Sequence, residues 1–332
     1  MAWEYVHHFP YEQTVYTSIS MDQKAEKHIL FVGTNLSHAV SNRIHDIVAK
    51  EVGINWQLEA MDTPVLDKFA KRIRDEDFGG AIVTIPHKIN VLPLLDHIDP
   101  MAQLLGACNN VYRRADGLLA GTNTDWIGVR DSLLDLSQRV PGDQLATDST
   151  EPGRGKPAFV VGAGGAARAA VYALSKALGA TVIYVINRDE HEVAALIHDA
   201  QNGYRKAGLE PPIIKHLRKP SDAIGLEDAY YGIGTVPDFE PCTETELDAR
   251  AVFIEILNRQ RGVFLDMCYR PRFTRNLKLA REKGWTSGDG GQVVGWQLKA
   301  QWEVWAGKDI SDAIPLSKMI EQVHEIVESL AH

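Results

Sequence analysis

Short apolar runs rich in β-branched residues alternate with helical patterns along the whole chain. In the first half, the runs HILFVGTN, INWQLEAMD and GAIVTIP predict strands, and apolar positions at helical spacing predict helices near 41–51 and 65–74. CNNVYRR and LLAGTN predict a hairpin around Ala115-Asp116-Gly117. Strands that alternate with helices in this way are typical of α/β proteins.

The second half carries a longer series of the same kind. KPAFVVGAG, TVIYVIN, PIIKHL, YYGIGTV and GVFLDMC predict five buried strands of a mainly parallel sheet. Residues 139–157, rich in Pro, Gly and polar side chains, predict a surface loop near a domain junction. Two amphipathic helices, at about 292–306 and 311–330, are predicted to close the chain.

Composition narrows the class of protein. A chain of 332 residues is long enough for about two domains, and its 35 basic against 44 acidic residues give a net charge of -9, which argues against a nucleic-acid partner. The three cysteines are too scattered for a disulfide framework, so we expect free thiols in a reducing compartment. Neither a signal segment nor a run of membrane-spanning length stands out, so a cytoplasmic protein without a membrane partner is expected.

The strongest local motif is the glycine-rich segment AFVVGAGGAARAAVYAL. Gly162, Gly164 and Ala167 satisfy the G-x-G-x-x-G/A pattern between a predicted strand and a predicted helix, with Gly165 and Ala166 in the same turn. Glycine at these points permits a tight turn and lets the backbone approach a pyrophosphate at the start of the helix. The alternative is a tight turn that needs glycine for steric reasons alone. The strand and helix context favours a dinucleotide site.

The end of the next predicted strand meets the adenosine ribose in folds of this kind. Here Asn187 is neutral and Arg188 could hold a 2′-phosphate, yet Asp189, Glu190 and Glu192 follow at once and would repel one. These residues leave the choice between NAD and NADP open.

Other signatures are absent from the sequence. No P-loop, zinc-binding HExxH or G-x-S-x-G pattern occurs, so no metal site is predicted and hydride transfer is the leading chemistry. Hydride transfer from an alcohol needs a group that takes the hydroxyl proton. Lys88 and Asp125 lie at predicted strand ends, where open α/β sheets bind ligands. On residues alone, the residue type favours an ordinary exposed lysine for Lys88, and the position before a helix favours a helix cap for Asp125.

The order of the motifs resembles that of the shikimate/quinate dehydrogenase family from about residue 31 to 307. The segments that carry the resemblance are VTIPHK, GACNNV, GTNTDWIG, VGAGGAAR, INR, LDMCYRP and GWQLKAQWEVWAG. The resemblance implies that Lys88 is catalytic with Asp125 as its partner. It also implies that the substrate-binding residues are Ser41, Thr84, Asn109, Tyr269 and Gln297, and that the cofactor-binding residues are Gly162, Gly164, Gly165, Ala166, Asn187, Arg188, Met267 and Gly290.

The chain departs from the family pattern at positions that concern the substrate. The family's H-S-x-S-P loop is His38-Ala39-Val40-Ser41-Asn42 here, Ile82 stands where the family has asparagine, and Asn110 where it has threonine. Each lost donor removes a hydrogen bond worth about 0.5 to 1.5 kcal/mol. The resemblance therefore leaves open which ring acid is the substrate. The acidic residues after Arg188 also depart from the NADP-type pattern of the family. Quinate dehydrogenases of the family often use NAD, so the resemblance favours NAD over NADP.

The resemblance implies a two-domain α/β enzyme that acts on a shikimate- or quinate-like ring acid in a cleft. Residues 1–125 with 291–332 are expected to form the substrate domain, and 126–290 a Rossmann-like NAD(P)-binding domain with a parallel sheet. A monomer or homodimer is expected. The alternative is a dehydrogenase-like sensor that binds a ring acid without turning it over, and the intact Lys88, Asp125, Asn109 and Gln297 argue against it.

Overall fold

The computed structural model describes residues 25–140 and 152–330, so part of the predicted loop at 139–157 lies outside the described residues. The strands are β1 (Lys27–Gly33), β2 (Trp56–Asp62), β3 (Phe78–Val83), β4 (His97–Ile98), β5 (Asn110–Arg113), β6 (Leu119–Thr122), β7 (Ala158–Val161), β8 (Ile183–Ile186), β9 (Ile214–Leu217), β10 (Tyr231–Gly234), β11 (Val263–Asp266) and β12 (Thr286–Gly288). The helices are α1 (Ser41–Glu51), α2 (Asp67–Arg72), α3 (Pro100–Leu105), α4 (Asp125–Ser137), α5 (Gly165–Tyr172), α6 (Glu190–Lys206), α7 (Glu244–Arg259), α8 (Arg275–Glu282), α9 (Gly290–Ala306), α10 (Lys308–Ala313) and α11 (Leu316–Ser329). The predicted α/β class is confirmed.

The chain divides into two compact units, each built on one six-stranded sheet. The first unit contains the described residues up to Asn123 together with Lys299–Ile314. The second unit contains Thr124–Leu298 and the described residues from Pro315 onwards. The boundary near Asn123 lies close to the predicted one at 125, whereas the C-terminal residues are divided differently.

The sheet of the first unit is mixed, in the order β2-β1-β3-β5-β6-β4. β1 pairs in parallel with β2 and β3, and β5 pairs antiparallel with β3 and β6. The predicted hairpin is therefore confirmed, with Gly117 at φ 84 in its turn. The two-residue β4 was not predicted, because so short a strand leaves no alternating pattern in the sequence.

Aromatic rings cover the central strand of the first unit. All six residues of β3 are buried. A Cβ at Gly80 would lie 2.3 Å from Cδ1 of Trp305, so glycine is required where this ring packs on the strand. Trp302 lies 5.7 Å from Trp56 between ring centroids. These contacts explain why residues 299–314 belong to the first unit.

The sheet of the second unit is entirely parallel, in the order β12-β11-β10-β7-β8-β9. The five predicted strands are confirmed as β7 to β11. β9 is only partly buried, contrary to the prediction, because it lies at an edge and is covered less well than the inner strands. The three-residue β12 was not predicted.

The predicted helix at 311–330 is wrong as a single element. It is divided into α10 and α11, because Ile314 is extended with φ -70 and ψ 119 and Pro315 cannot donate a backbone hydrogen bond. α11 packs in the second unit, where a Cβ at Gly291 would lie 2.7 Å from Cγ2 of Val327. Residues 291–298 and 315–330 therefore pack with the second unit rather than with the first. The assignment of substrate to one unit and cofactor to the other stays a prediction.

Within the residues that the structure describes, no helix is long and apolar enough to cross a membrane. The same residues contain no group of three or more His, Cys, Asp or Glu side chains arranged to hold a metal ion. The cysteines are free thiols: Cys108, Cys242 and Cys268.

Candidate dinucleotide and substrate sites

The glycine loop connects β7 to α5 in the second unit. Gly162 has φ 110, a conformation that side chains with a Cβ rarely adopt, and its Cβ would lie 2.4 Å from Oγ1 of Thr235. The Gly162 N–H donates to the carbonyl of Ile186 at 2.9 Å, and the Thr235 hydroxyl donates to the carbonyl of Val161 at 2.8 Å. The two strands that flank β7, which are β8 and β10, thus hold the turn in place.

Gly164 lies at the N-cap of α5, and its surroundings fit a bound pyrophosphate. A Cβ at Gly164 would meet no atom within 4 Å, in contrast to Gly162. Gly165 and Ala166 begin the helix, so their N–H groups belong to the end that attracts anions. Ala167 is fully buried, which lets the helix pack closely on its strand. Open space beside helical N–H groups is what a dinucleotide phosphate requires.

The residues after β8 are held by side-chain hydrogen bonds. The Asn187 amide donates to Oε2 of Glu192 at 2.9 Å, and its Oδ1 accepts from the Asp189 N–H at 3.1 Å. The Asp189 carboxylate caps α6, where it accepts from the N–H groups of His191 and Glu192. These backbone hydrogen bonds lower the pKa of Asp189, so it is ionised at neutral pH.

Three predicted site residues follow β11 or begin α9 in the second unit. Met267 is half-buried against the core, and its N–H donates to the carbonyl of Gly234 at 2.8 Å. A Cβ at Gly290 would lie 2.0 Å from the Met267 carbonyl oxygen, so α9 can begin here only with glycine. Tyr269 is half-buried two residues after Met267. Backbone packing alone thus explains why glycine occupies position 290.

Asp266 is a buried carboxyl group that the sequence analysis passed over. It is 0% exposed, accepts from the Thr274 hydroxyl at 2.6 Å and accepts from the Cys268 N–H at 3.1 Å. Burial raises the pKa of Asp266 to about 6, while the bonds from Thr274 and Cys268 oppose that rise. Asp266 ties the segment that contains Met267 and Tyr269 to the start of α8. The sequence could have indicated this burial, because Asp266 lies inside the apolar run GVFLDMC.

The raised pKa of Asp266 has a consequence for stability. The folded state holds this proton up to about pH 6, whereas the unfolded state releases it near the ordinary value of 3.8, so ionisation destabilises the fold as pH rises. We expect the wild type to lose about 2 kcal/mol of folding stability relative to Asp266→Asn between about pH 4 and pH 7. Urea unfolding at both pH values measures this difference. A difference that does not depend on pH would contradict it.

Asp125 and Gln297 both lie in the second unit. The Thr124 hydroxyl donates to Oε1 of Gln297 at 2.8 Å, with both side chains buried. Asp125 is 4% exposed and is the first residue of α4, so it is not the helix cap that the isolated sequence allows; Thr124 holds that position. Thr124 was not predicted as a site residue, although it lies inside the segment GTNTDWIG. The hydrogen bond joins predicted site segments 173 residues apart.

In the first unit, the segments that contain Thr84, Lys88 and Asn109 are joined by backbone hydrogen bonds. The Val83 N–H donates to the carbonyl of Asn109 at 2.8 Å, and the Cys108 N–H donates to the carbonyl of Lys88 at 2.7 Å. Asn109 is buried, whereas Thr84 and Lys88 are half-buried. The structure therefore brings these three predicted residues together at the end of β3.

The altered substrate positions lie around the start of α1 and within β3. Ser41 begins α1 and is buried, as is Ala39. The Asn42 amide donates to the carbonyl of Leu36 at 2.6 Å, so it braces the preceding turn. Ile82 lies within β3 and is 7% exposed. Ala39 and Ile82 thus add apolar surface where the family has hydrogen-bonding side chains.

His87 makes a hydrogen bond of structural importance beside Lys88. It is buried beside Lys88, and its Nε2 is 2.8 Å from the carbonyl oxygen of Thr63. This contact fastens the segment after β3 to the residue after β2. His87 therefore positions the backbone next to Lys88.

The known proteins that this chain is similar to are shikimate and quinate dehydrogenases. The shikimate dehydrogenase substrate binding domain matches residues 31–111. Quinate dehydrogenase of Emericella nidulans is 34% identical over 298 residues, which cover 84% of this chain and 87% of that protein. Shikimate 5-dehydrogenase of Thermus thermophilus, solved with NADP(H) and shikimate, has a TM-score of 0.66 and 27% identity over 90% of this chain and 99% of its own.

A larger protein also contains this fold. Dehydroquinate dehydratase and shikimate dehydrogenase from S. pombe AroM has a TM-score of 0.69 and 25% identity, over 95% of this chain. This chain spans 56% of that structure. The remainder of that chain has no counterpart in the match.

Proposed function

The chain belongs to the shikimate and quinate dehydrogenase family of NAD(P)-dependent oxidoreductases, and we propose that it oxidises a ring hydroxyl of a quinate-like acid with NAD. The observation that carries this proposal is the loop at Gly164, where open space adjoins the first N–H groups of α5. The likeness to a fungal quinate dehydrogenase supports a quinate-type substrate.

Lys88 and Asp125 are proposed as the acid–base pair. Bound NAD(P) supplies the acceptor for the hydride that leaves the carbinol carbon. Lys88 takes the hydroxyl proton at Nζ during oxidation and returns it during reduction. Asp125 holds the lysine and offsets the positive charge that develops on it. The roles come from the family resemblance, and the half-buried Lys88 and buried Asp125 are compatible with them.

The proposed substrate-binding side chains come from the family resemblance. Ser41, Thr84 and Asn109 supply hydroxyl and amide groups near the ends of the first unit's sheet, and Tyr269 and Gln297 supply further donors and acceptors. A ring carboxylate would gain about 1.5 to 3 kcal/mol from each hydrogen bond that it accepts. Ala39 and Ile82 cannot donate, so a ligand must depend on the remaining groups.

Shikimate is expected to be a poorer substrate than quinate. The chain is 34% identical to a quinate dehydrogenase, and Ala39 and Ile82 remove donors that the family pattern provides for shikimate. Their loss weakens shikimate binding in ground and transition states alike. The expected result is a higher KM for shikimate and a lower kcat/KM. Steady-state assays that follow nicotinamide absorbance with both acids measure it. Equal kcat/KM for the two acids would contradict this substrate assignment.

NAD is expected to be used at least as well as NADP. The ionised Asp189, with Glu190 and Glu192 on the same helix, places negative charge near a 2′-phosphate. Apparent KM values for both cofactors, measured with quinate, test the expectation. A preference for NADP of about tenfold or more, equivalent to about 1.4 kcal/mol, would contradict it.

The function as a whole is tested with a panel of quinate, shikimate and hydroxy acids without a ring, each with NAD and NADP. Reduction of the nicotinamide by a ring acid, and not by the acyclic acids, is expected. If the acyclic acids alone were oxidised, the proposed substrate class would be wrong.

A further inference from the structure

A carboxylate outside the sequence motifs binds the arginine at the end of β8. Nη1 of Arg188 donates a charge-assisted hydrogen bond to Oε1 of Glu246, which lies in the first turn of α7 and 58 residues away in the chain. The second strand of a Rossmann-like unit ends where the adenosine ribose binds, and an arginine there can accommodate the 2′-phosphate of NADP. Glu246 therefore binds the side chain that NADP would need.

Glu246 is the anchored partner of the pair. Its Oε2 accepts from the N–H groups of Cys242 at 2.9 Å and Thr243 at 3.0 Å. The Thr243 hydroxyl in return accepts from the Glu246 N–H, which completes a capping box. The side chain of Glu246 is 19% exposed and that of Arg188 is 58% exposed. The more exposed guanidinium is thus drawn to a carboxylate that the helix start holds in place.

The helix start is also an electrostatically favourable place for the Glu246 carboxylate. The N-terminal end of a helix carries a partial positive charge that stabilises a carboxylate in the first turn. Both oxygens of Glu246 accept hydrogen bonds, from Arg188 on one side and from backbone on the other. A 2′-phosphate that approached Arg188 would therefore meet a guanidinium that already binds a carboxylate.

We infer that Glu246 is a specificity-determining residue that disfavours NADP by neutralising Arg188. The inference rests on the proposed dinucleotide site and deepens it. NAD carries a free 2′-hydroxyl, which needs no cation, so Glu246 leaves NAD binding nearly unchanged. NADP must compete with Glu246 for Arg188 and suffers the repulsion between its phosphate and the carboxylate.

Neighbouring acids do not replace Glu246 in this role. Glu192 accepts from the amide of Asn187, and Asp189 caps α6. Glu190 pairs with Arg218 at 2.7 Å. Each of these carboxylates has another partner, whereas Glu246 is bonded to Arg188 itself. The removal of Glu246 would therefore free Nη1 of Arg188 from its hydrogen bond.

The test compares the binding of NAD, NADP and 2′,5′-ADP by isothermal titration calorimetry, without ring acid and without turnover. Glu246→Gln keeps the capping box, because glutamine serves at this position, but loses the charge. Glu244→Gln is the matched control, since it removes the same charge from the same helical turn and leaves the Arg188–Glu246 pair intact. Arg188→Ala in the Glu246→Gln background tests whether the change in NADP affinity depends on Arg188.

We expect Glu246→Gln to bind NADP and 2′,5′-ADP about tenfold tighter, a gain of about 1.4 kcal/mol, with NAD changed less than about twofold. Glu244→Gln should leave all three affinities near those of the wild type. The gain should vanish when Arg188 is also replaced.

Two patterns of result would overturn the inference. An NADP-to-NAD ratio unchanged by Glu246→Gln, or a gain that survives Arg188→Ala, would reject Glu246 as the determinant while leaving the dinucleotide site intact. A wild type that binds neither NAD nor NADP would instead reject the proposed function together with this inference.

Discussion

We expect Lys88→Ala to lower kcat for quinate oxidation by about 10²- to 10⁴-fold, the contribution typical of a general acid–base group. Alanine cannot accept the hydroxyl proton, so the reaction would depend on water. The affinity for NAD should stay within about twofold, because the proposed cofactor-binding groups are the glycine loop and the start of α5. Steady-state kinetics gives kcat, and calorimetry gives the cofactor affinity.

Further variants show whether a loss of kcat is particular to Lys88 and its proposed partner. Lys71→Ala removes an exposed lysine from α2 of the same unit and should leave kcat unchanged. Asp125→Asn should also lower kcat, and the double variant should lose much less than the product of the two single effects, because groups that act as one unit are not additive. Activity that survives Lys88→Ala within a few-fold would reject Lys88 as the catalytic group.

Gly164→Val should abolish tight cofactor binding without destabilising the fold. A Cβ at Gly164 meets no atom of the surrounding protein within 4 Å, but the valine side chain would occupy the space beside the first N–H groups of α5. Loss of two hydrogen bonds from these groups to a phosphate costs about 3 to 6 kcal/mol, or about 10²- to 10⁴-fold in affinity. Calorimetry with NAD measures the affinity, and urea unfolding without cofactor measures the stability.

Gly162→Ala is the contrasting variant. Its φ of 110 and the 2.4 Å approach to Oγ1 of Thr235 mean that even a methyl group strains the turn, so stability and cofactor binding should both fall. Gly164→Val that bound NAD like the wild type would show that the open space is not the phosphate site. Equal destabilisation by the two substitutions would contradict the structural distinction between them.

Much of the fold could be predicted because its signals are local. The hairpin between β5 and β6 needs only a turn with Gly117 at positive φ, and the glycine loop is fixed by a strand, a turn and a helix in succession. The break between α10 and α11 was missed, although Pro315 marks it, because the apolar spacing continues across the proline. Short strands such as β12 leave too few residues for any periodic pattern.

The contacts that the sequence could not predict join distant residues. Thr124 and Gln297 are 173 residues apart, and Arg188 and Glu246 are 58 residues apart. The spacing Thr243-x-x-Glu246 is typical of a capping box, but it does not show that Glu246, rather than the exposed Glu244, binds Arg188. Only the packing of α7 near β8 shows which of them binds Arg188.

The central claim is that this chain transfers hydride from a ring acid to a nicotinamide cofactor. Quinate and shikimate deuterated at their carbinol carbons, incubated with the protein and NAD or NADP, test it directly by mass spectrometry of the cofactor. The account predicts reduced cofactor that has gained a deuterium at C4 of the nicotinamide. Ring acid that binds by calorimetry while the cofactor remains oxidised and unlabelled would contradict it, and would identify a metabolite sensor instead.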